Sequence, residues 1–276
     1  MFVKNKKDKS RKEIEAVRKN YDENAEKEWE RLAGFSFEFE IAKRYLKKFM
    51  RGKSVLDIGG GPGRYSVYLA ELGYDVTLVD LSEGNVELAK RKFEEYGVNA
   101  EAHVCDARDL SALELGKFDN VLLMGPLYHL SAVSDREKCV EEAKKHLADD
   151  GVLFASFITI TAGLNYYYDT APENLIDEPA LDLFDRMAKD ETWSGRAFTQ
   201  ATFINSIEVV PFFERLGFEK LALVGQEGLT GPRLTAIESA SEKVREKYLE
   251  ISLKVCENPQ YYAYSDHLLY AGRVKR

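Results

Sequence analysis

Three carboxylates lie at the ends of short apolar runs in the first half of the sequence. Asp57 lies in VLDI, Asp80 ends VTLVD and Asp106 follows HVC. Each run has the length and residue types of a buried β-strand. Because ligands of parallel sheets bind where the strands end, these carboxylates are candidates for one binding site. A carboxylate there suits a cationic ligand and is unfavourable beside a pyrophosphate.

A glycine-rich loop follows the first run. The segment 54–64 reads SVLDIGGGPGR, and four of the five residues 59–63 are glycine. Such a loop lets the backbone pass very close to another group. The dinucleotide fingerprint GxGxxG needs a third glycine, but Arg64 or Ser66 stands there when the motif is read from residue 59 or 61. A nicotinamide-dependent dehydrogenase is therefore a disfavoured alternative.

The elements that position these residues alternate along the chain. Apolar periodicity predicts strands at 53–58, 75–79, 101–105, 118–124, 151–157, 218–224 and 264–274, and helices at 64–72, 83–96, 134–147, 206–216 and 236–256. Strands separated by helices indicate a doubly wound α/β fold with a mostly parallel sheet.

Two further regions flank or interrupt this pattern. Helices are predicted at 11–33 and 37–50, so we expect residues 1–50 to form a tail and a helical cap on a catalytic domain of residues 51–276. Residues 158–203 are rich in tyrosine and acid and are predicted as loop and short helices, inserted as a lid. The insertion's aromatic residues would either cover a flat, partly apolar small molecule or pack only on one another.

Bulk composition excludes several functional classes. The 276 residues carry a net charge of −8 at pH 7, which disfavours a nucleic-acid polymer as main partner despite the lysine-rich start. The three cysteines lack the spacing of a disulfide framework or zinc site, and the four histidines are scattered, so no metal is expected. No apolar run reaches the roughly 18 to 20 residues that span a bilayer. We therefore expect a cytoplasmic protein.

Four segments of the sequence resemble one family. VLDIGGGPGRYSVYLA, residues 55–70, resembles the first motif of the class I S-adenosylmethionine-dependent methyltransferases. FDNVLLMGPLYHL, residues 118–130, is similar to their fourth-strand motif and to a GPLYHL subgroup. The pattern YDxxA followed by EWxRL within residues 21–32 and SDHLLYAGRV at 265–274 extend the resemblance over most of the chain.

The resemblance implies a Rossmann-like, seven-stranded sheet whose last strand is antiparallel. It also implies S-adenosylmethionine as cofactor and S-adenosylhomocysteine as product. By the same resemblance, Asp57 meets the ammonium group, Asp80 the ribose and Asp106 the adenine. The implied cofactor-binding residues are Tyr21, Asp57, Gly59, Gly60, Gly61, Asp80, Leu81, Asp106, Ala107 and Met124.

Candidate catalytic residues follow the fourth strand. His129 is the first candidate for a base, because imidazole titrates in the useful range, and Tyr128 is a candidate for orienting the acceptor. In the alternative interpretation, His129 only fastens its loop. Tyr21 either contacts the cofactor through its aromatic face or packs within its helix. His267 is interpreted as structural, although it could point into the same pocket.

The reaction implied is methyl transfer to a small-molecule acceptor by in-line displacement, in which the protein's main task is alignment. An RNA or protein methyltransferase is the alternative that the lysine-rich start favours. A non-catalytic cofactor-binding or regulatory protein is the alternative from another class.

Overall fold

A nine-stranded sheet forms the centre of the computed structural model, which describes residues 2–34, 36–229 and 234–276. The strands are β1 (Ser54–Ile58), β2 (Asp75–Asp80), β3 (Ala100–Val104), β4 (Phe118–Leu123), β5 (Leu147–Thr159), β6 (Trp193–Arg196), β7 (Gln200–Ile204), β8 (Phe218–Gly225) and β9 (His267–Val274). The parallel strands β1 to β5 lie in the order β3-β2-β1-β4-β5. β9 pairs antiparallel with both β5 and β8. All seven predicted strands are present and the last is antiparallel, as predicted, but the sheet has nine strands rather than seven.

Helices cover both faces of this sheet. They are α1 (Phe2–Ala33), α2 (Phe37–Phe49), α3 (Arg64–Glu71), α4 (Glu83–Glu95), α5 (Val133–Lys145), α6 (Ile160–Thr170), α7 (Glu178–Ala188), α8 (Ser206–Arg215), α9 (Leu234–Glu238) and α10 (Glu242–Val255). In β1, Leu56 and Ile58 pack in one buried cluster with α5 and α8. Val55, which points to the other face, packs with α2 and α3. The predicted doubly wound fold is thus confirmed. No described helix is both long and apolar enough to cross a membrane.

Three local predictions were wrong. The segment predicted as loop and short helices contains the β6–β7 hairpin, whose Trp193 and Phe203 rings stack with centroids 5.2 Å apart. The single helix predicted at 236–256 is divided into α9 and α10, because Ser241 has an extended backbone (φ −60°, ψ 152°). The last strand begins at His267, since a 3₁₀ helix occupies Pro259–Tyr264. The division into cap, catalytic domain and lid stays a prediction.

Two buried tyrosines near β8 and β9 differ in how their hydroxyl groups are satisfied. The Tyr262 hydroxyl donates to the Leu223 carbonyl at 2.7 Å. The fully buried Tyr270 hydroxyl has no hydrogen-bond partner in the described structure. Its ring stacks on Phe213 with centroids 3.9 Å apart, a contact that phenylalanine would keep.

We therefore expect Tyr270→Phe to raise the free energy of unfolding by about 1 kcal/mol, because the substitution removes an unsatisfied buried polar group. The matched control Tyr262→Phe should lower it by about 1 kcal/mol, since it removes a made hydrogen bond. Denaturant unfolding followed by circular dichroism measures both. Equal decreases in the free energy of unfolding of the two variants would contradict the conclusion that the Tyr270 hydroxyl lacks a partner.

Candidate functional site

A cleft opens at the carboxyl ends of β1, β2 and β4, beside α1. It encloses about 1160 Å³, part of it open to solvent. All of the residues predicted to bind a cofactor or to take part in catalysis line it, namely Tyr21, Asp57, Gly59, Gly60, Gly61, Asp80, Leu81, Asp106, Ala107, Met124, Tyr128 and His129. The structure therefore brings together the residues that the sequence pattern selected.

The glycine loop is packed tightly against the protein itself. Gly59 has φ of 72°, a conformation that favours glycine, and a Cβ there would lie 2.6 Å from Pro126 Cδ in the loop after β4. A Cβ on Gly60 would lie 2.8 Å from Asp57 Oδ2 and 2.7 Å from Leu78. The glycines at positions 59 and 60 therefore allow, in part, close contact with neighbouring segments of the protein itself.

Asp57 supplies a carboxylate oxygen that lacks a donor. The residue is fully buried, and its Oδ2 accepts a hydrogen bond from Ser66 Oγ at 2.7 Å. Its Oδ1 is buried without a partner in the described structure. Burial raises the pKa of Asp57 to about 7, against the lowering effect of Ser66. An ammonium group in the cleft would supply the missing donor and favour the ionised form.

Asp80 joins the glycine loop to the start of α4. Its Oδ2 accepts from the Gly61 amide and its Oδ1 from the Ser82 amide, each at 2.9 Å. Burial raises the pKa of Asp80, while these hydrogen bonds and one from Asn85 oppose the rise. Since each carboxylate oxygen has more than one acceptor position, Asp80 can still accept from a hydroxyl group in the cleft.

Asp106 is already held by a cation. Arg108 Nη2 lies 2.6 Å from its Oδ2, and Arg108 Nε also contacts the carboxylate. Arg108 Nη1 also contacts Asp135 Oδ2 at 3.2 Å. Arg108 lies two residues after Asp106 in the sequence, but nothing in the sequence indicates that the two side chains form an ion pair.

α1 is anchored over the cleft by Asp22. Its Oδ1 accepts from Ser82 Oγ at 2.7 Å and from the Gly84 amide at 3.2 Å. A Cβ on Gly84 would lie 2.8 Å from the Asp22 carbonyl oxygen, so only glycine allows this approach. Asp22 belongs to the YDxxA pattern but had no predicted role, and the Ser-x-Gly spacing after Asp80 is the signal that could have indicated one.

His129 is neutral and is hydrogen-bonded at both nitrogens. Nδ1 lies 3.0 Å from the Gln200 carbonyl oxygen, which only accepts, so Nδ1 carries the proton. Nε2 therefore accepts from the Tyr21 hydroxyl at 2.9 Å. Burial lowers the pKa of His129 to about 4. These two hydrogen bonds connect α1 and β7 to the loop that follows β4.

Tyr128 and His267 also border the cleft. The Tyr128 hydroxyl contacts the Met124 carbonyl at 3.4 Å, and burial raises its pKa. His267, which was interpreted as structural, also lines the cleft, and its Nδ1 lies 2.6 Å from Oε1 of the buried Glu227. Glu227 had no predicted role, and nothing in its local sequence indicates this pairing.

Known proteins resemble this chain in sequence and in fold. A methyltransferase-domain family model matches residues 55–151. Ubiquinone biosynthesis O-methyltransferase of Haemophilus ducreyi is 28% identical over 176 residues, which are 59% of this chain and 72% of that protein. The protein of the same name from Xanthomonas euvesicatoria pv. vesicatoria is 35% identical over 112 residues, 41% of this chain and 46% of its own length. This chain therefore matches less than half of the second relative.

A solved structure extends the comparison to the whole fold. The 1,6-didemethyltoxoflavin-N1-methyltransferase of Burkholderia thailandensis, with bound 1,6-didemethyltoxoflavin and S-adenosylhomocysteine, has a TM-score of 0.62 and 16% identity. The alignment covers 97% of this chain and 91% of that one. At this identity the likeness concerns the fold.

The neutral state of His129 can be measured. The unfolded chain takes up a proton near the ordinary pKa of about 6.5, whereas folded His129 resists until about pH 4. Its contribution to stability is therefore complete above about pH 6.5 and is lost as the pH falls towards 4. As the pH is lowered from about 6.5 to about 4, we expect the free energy of unfolding of His129→Gln to decrease less than that of the wild type. His146→Gln, outside the cleft, is the control, and identical pH slopes in His129→Gln and the wild type would contradict the assigned pKa.

Proposed function

We propose that this chain is a class I S-adenosylmethionine-dependent methyltransferase, which its matches to a methyltransferase-domain model and to O-methyltransferases support, and that it transfers a methyl group from S-adenosylmethionine to a small-molecule acceptor. One observation carries the proposal. The residues that the sequence assigned separately to cofactor binding line a single cleft at the carboxyl ends of parallel strands, where ligands of such sheets bind.

The residues of the cleft fit the cofactor group by group. Asp57 offers its unpartnered Oδ1 to the ammonium group, and Asp80 keeps acceptor positions for the ribose hydroxyls. Asp106 and Ala107 border the part of the cleft that we assign to the adenine, with Leu81 and Met124 as apolar walls. When bound, S-adenosylmethionine supplies an electrophilic methyl group on a sulfonium.

The chain's own contribution is alignment and exclusion of water. Asp22 fixes α1 beside the cleft, and Tyr21 on the same helix turns its hydroxyl to His129. We propose that the Tyr21 ring then lies against the cofactor and that the insertion covers the acceptor. Together these elements would hold the reacting atoms in line.

His129 and Tyr128 remain the proposed catalytic residues at the end of β4. Because the Tyr21 hydroxyl donates to His129 Nε2, His129 could act as a base only through Tyr21. The Tyr21 oxygen would take the acceptor's proton while it gives its own to Nε2. The same contacts support the alternative in which His129 fastens the loop after β4.

The remaining expectations also stay proposals. We propose a cytoplasmic enzyme whose acceptor is neither RNA nor protein, in keeping with the net charge of −8. A non-catalytic protein that only holds the cofactor would share the same cleft. Formation of S-adenosylhomocysteine from S-adenosylmethionine with a methylated acceptor separates the enzyme from the binding protein.

Calorimetric titration of the full chain with S-adenosylhomocysteine tests the cofactor assignment, with NAD as control. We expect a dissociation constant in the micromolar range or below, about −8 kcal/mol or tighter, and no binding of NAD. Absence of binding in a folded sample free of ligand would contradict the assignment of Asp57, Asp80 and Asp106.

The same titration against pH tests Asp57. Its carboxylate form binds the ammonium group, so a pKa of about 7 means that affinity falls as the pH drops below 7, by up to about tenfold per unit. Asp57→Asn should bind more weakly and without this slope. Asp109→Asn, outside the cleft, should retain the wild-type profile, and a flat wild-type profile would count against the role of Asp57.

A further inference from the structure

A second cavity lies beside the cleft, between residues of the insertion and the start of β9. It encloses about 1230 Å³, part of it open to solvent. Its walls are mainly aromatic and aliphatic, and include Ile158, Tyr166, Tyr167, Trp193, Phe198 and Phe203. Asn174, Asp177 and Arg196 add polar groups.

The aromatic wall is firmly built. Trp193 and Phe203 are buried and stacked at an interplanar angle of 29°. Gly163 of α6 packs directly on this wall, since a Cβ there would lie 2.7 Å from Phe203 Cδ2. A flat, rigid apolar surface of this kind binds planar rings better than flexible chains.

Of the residues that the structure describes, His267 lines both the cleft and the second cavity. Glu227 fixes its ring, because Oε1 accepts from Nδ1 at 2.6 Å and Oε2 accepts from the His267 amide at 3.0 Å. Glu38 Oε2 lies 4.0 Å from the same Nδ1. Nε2 has no hydrogen-bond partner among the described residues, and the side chain keeps 26% of its surface exposed. The exposed part therefore faces the two cavities.

The charges around His267 keep it protonated. Burial alone would lower its pKa, but Glu38, Glu227 and Asp266 raise it well above the ordinary value of a histidine. Asp266 is itself bound by Asn165 Nδ2 at 2.8 Å. Both glutamates approach Nδ1, so Nε2 presents a positively charged N–H donor on the other side of the ring. Such a donor is matched by an oxygen with lone pairs or negative charge.

We propose, on the premise of the methyltransferase function above, that the second cavity binds the methyl acceptor, a flat aromatic molecule with a hydroxyl group, and that this hydroxyl oxygen accepts a hydrogen bond from His267 Nε2. His267 is then a catalytic residue that stabilises the oxyanion of the acceptor, and His129 has the alternative role given above, in which it fastens α1 and the loop after β4.

The reaction balances without a further reagent. The acceptor's hydroxyl proton goes to solvent when the acceptor binds as its oxyanion, because the imidazolium favours the charged form. A lone pair of the oxyanion forms the new O–C bond, and the C–S bond breaks with its electron pair left on sulfur. The negative oxygen and the positive sulfur both become neutral, which a site shielded from water favours. His267 retains both of its protons throughout.

The test uses 4-nitrophenol as a chromophoric aromatic hydroxyl compound and the full chain saturated with S-adenosylhomocysteine. Absorbance titration against pH reports whether the bound phenol is ionised. We expect the pKa of bound 4-nitrophenol to lie about one unit below that of the free compound, because a neighbouring cation favours the anion. His267→Asn should abolish this shift. His103→Asn, on β3 outside both cavities, is the matched control and should retain it.

Two further variants locate the bound phenol. Ala162→Phe fills the second cavity and should prevent 4-nitrophenol binding while calorimetry still detects S-adenosylhomocysteine. Phe198→Ala shortens a wall residue that is 60% exposed, so it should fold normally and bind 4-nitrophenol several-fold more weakly.

The outcomes separate the inference from its premise. Failure to bind S-adenosylhomocysteine would overturn the methyltransferase proposal. Normal S-adenosylhomocysteine binding with no 4-nitrophenol binding at millimolar concentration would overturn the inference alone. The inference is also overturned if the pKa shift persists in His267→Asn, or if 4-nitrophenol binds Ala162→Phe and Phe198→Ala as tightly as the wild type.

Discussion

The organisation of the cleft depends on two of the three hydrogen bonds that Asp80 accepts. They tie the glycine loop after β1 to the first turn of α4 through the Gly61 and Ser82 amides. Ser82 then donates to Asp22 and so fixes α1. α1 in turn places Tyr21 against His129, whose other nitrogen reaches β7. Five parts of the chain that are distant in sequence are thereby held around one space, and a buried carboxylate is the centre of that network.

The sequence predicted those features that follow from short-range pattern. Asp57, Asp80 and Asp106 could be placed together because each ends an apolar run and parallel strands end at one edge. Contacts between distant residues could not be predicted. The proton position of His129 depends on a carbonyl 71 residues away, and the pairing of His267 with Glu227 spans 40 residues. The β6–β7 hairpin was missed because strands of four and five residues carry too little periodicity.

The two histidines at the cleft show how neighbours decide chemistry for one residue type. His129 contacts a carbonyl and a hydroxyl, neither of which is charged, so burial dominates and the ring is neutral. His267 is also surrounded by protein, but three carboxylates outweigh the effect of burial and keep it cationic. The sequence made His129 the candidate base and His267 a structural residue, and only the three-dimensional surroundings assign their opposite charge states.

The position of β9 also affects how the chain folds during its synthesis. β9 lies between β5 and β8 and is antiparallel to both, so β8 has no partner in this sheet until residues 267–274 have been synthesised. On the ribosome, β8 is therefore an apolar strand with an open edge, which is the type of segment that aggregates or recruits chaperones. Since His267 is the first residue of β9, completion of the sheet and arrival of the cation between the two cavities are one and the same event of folding.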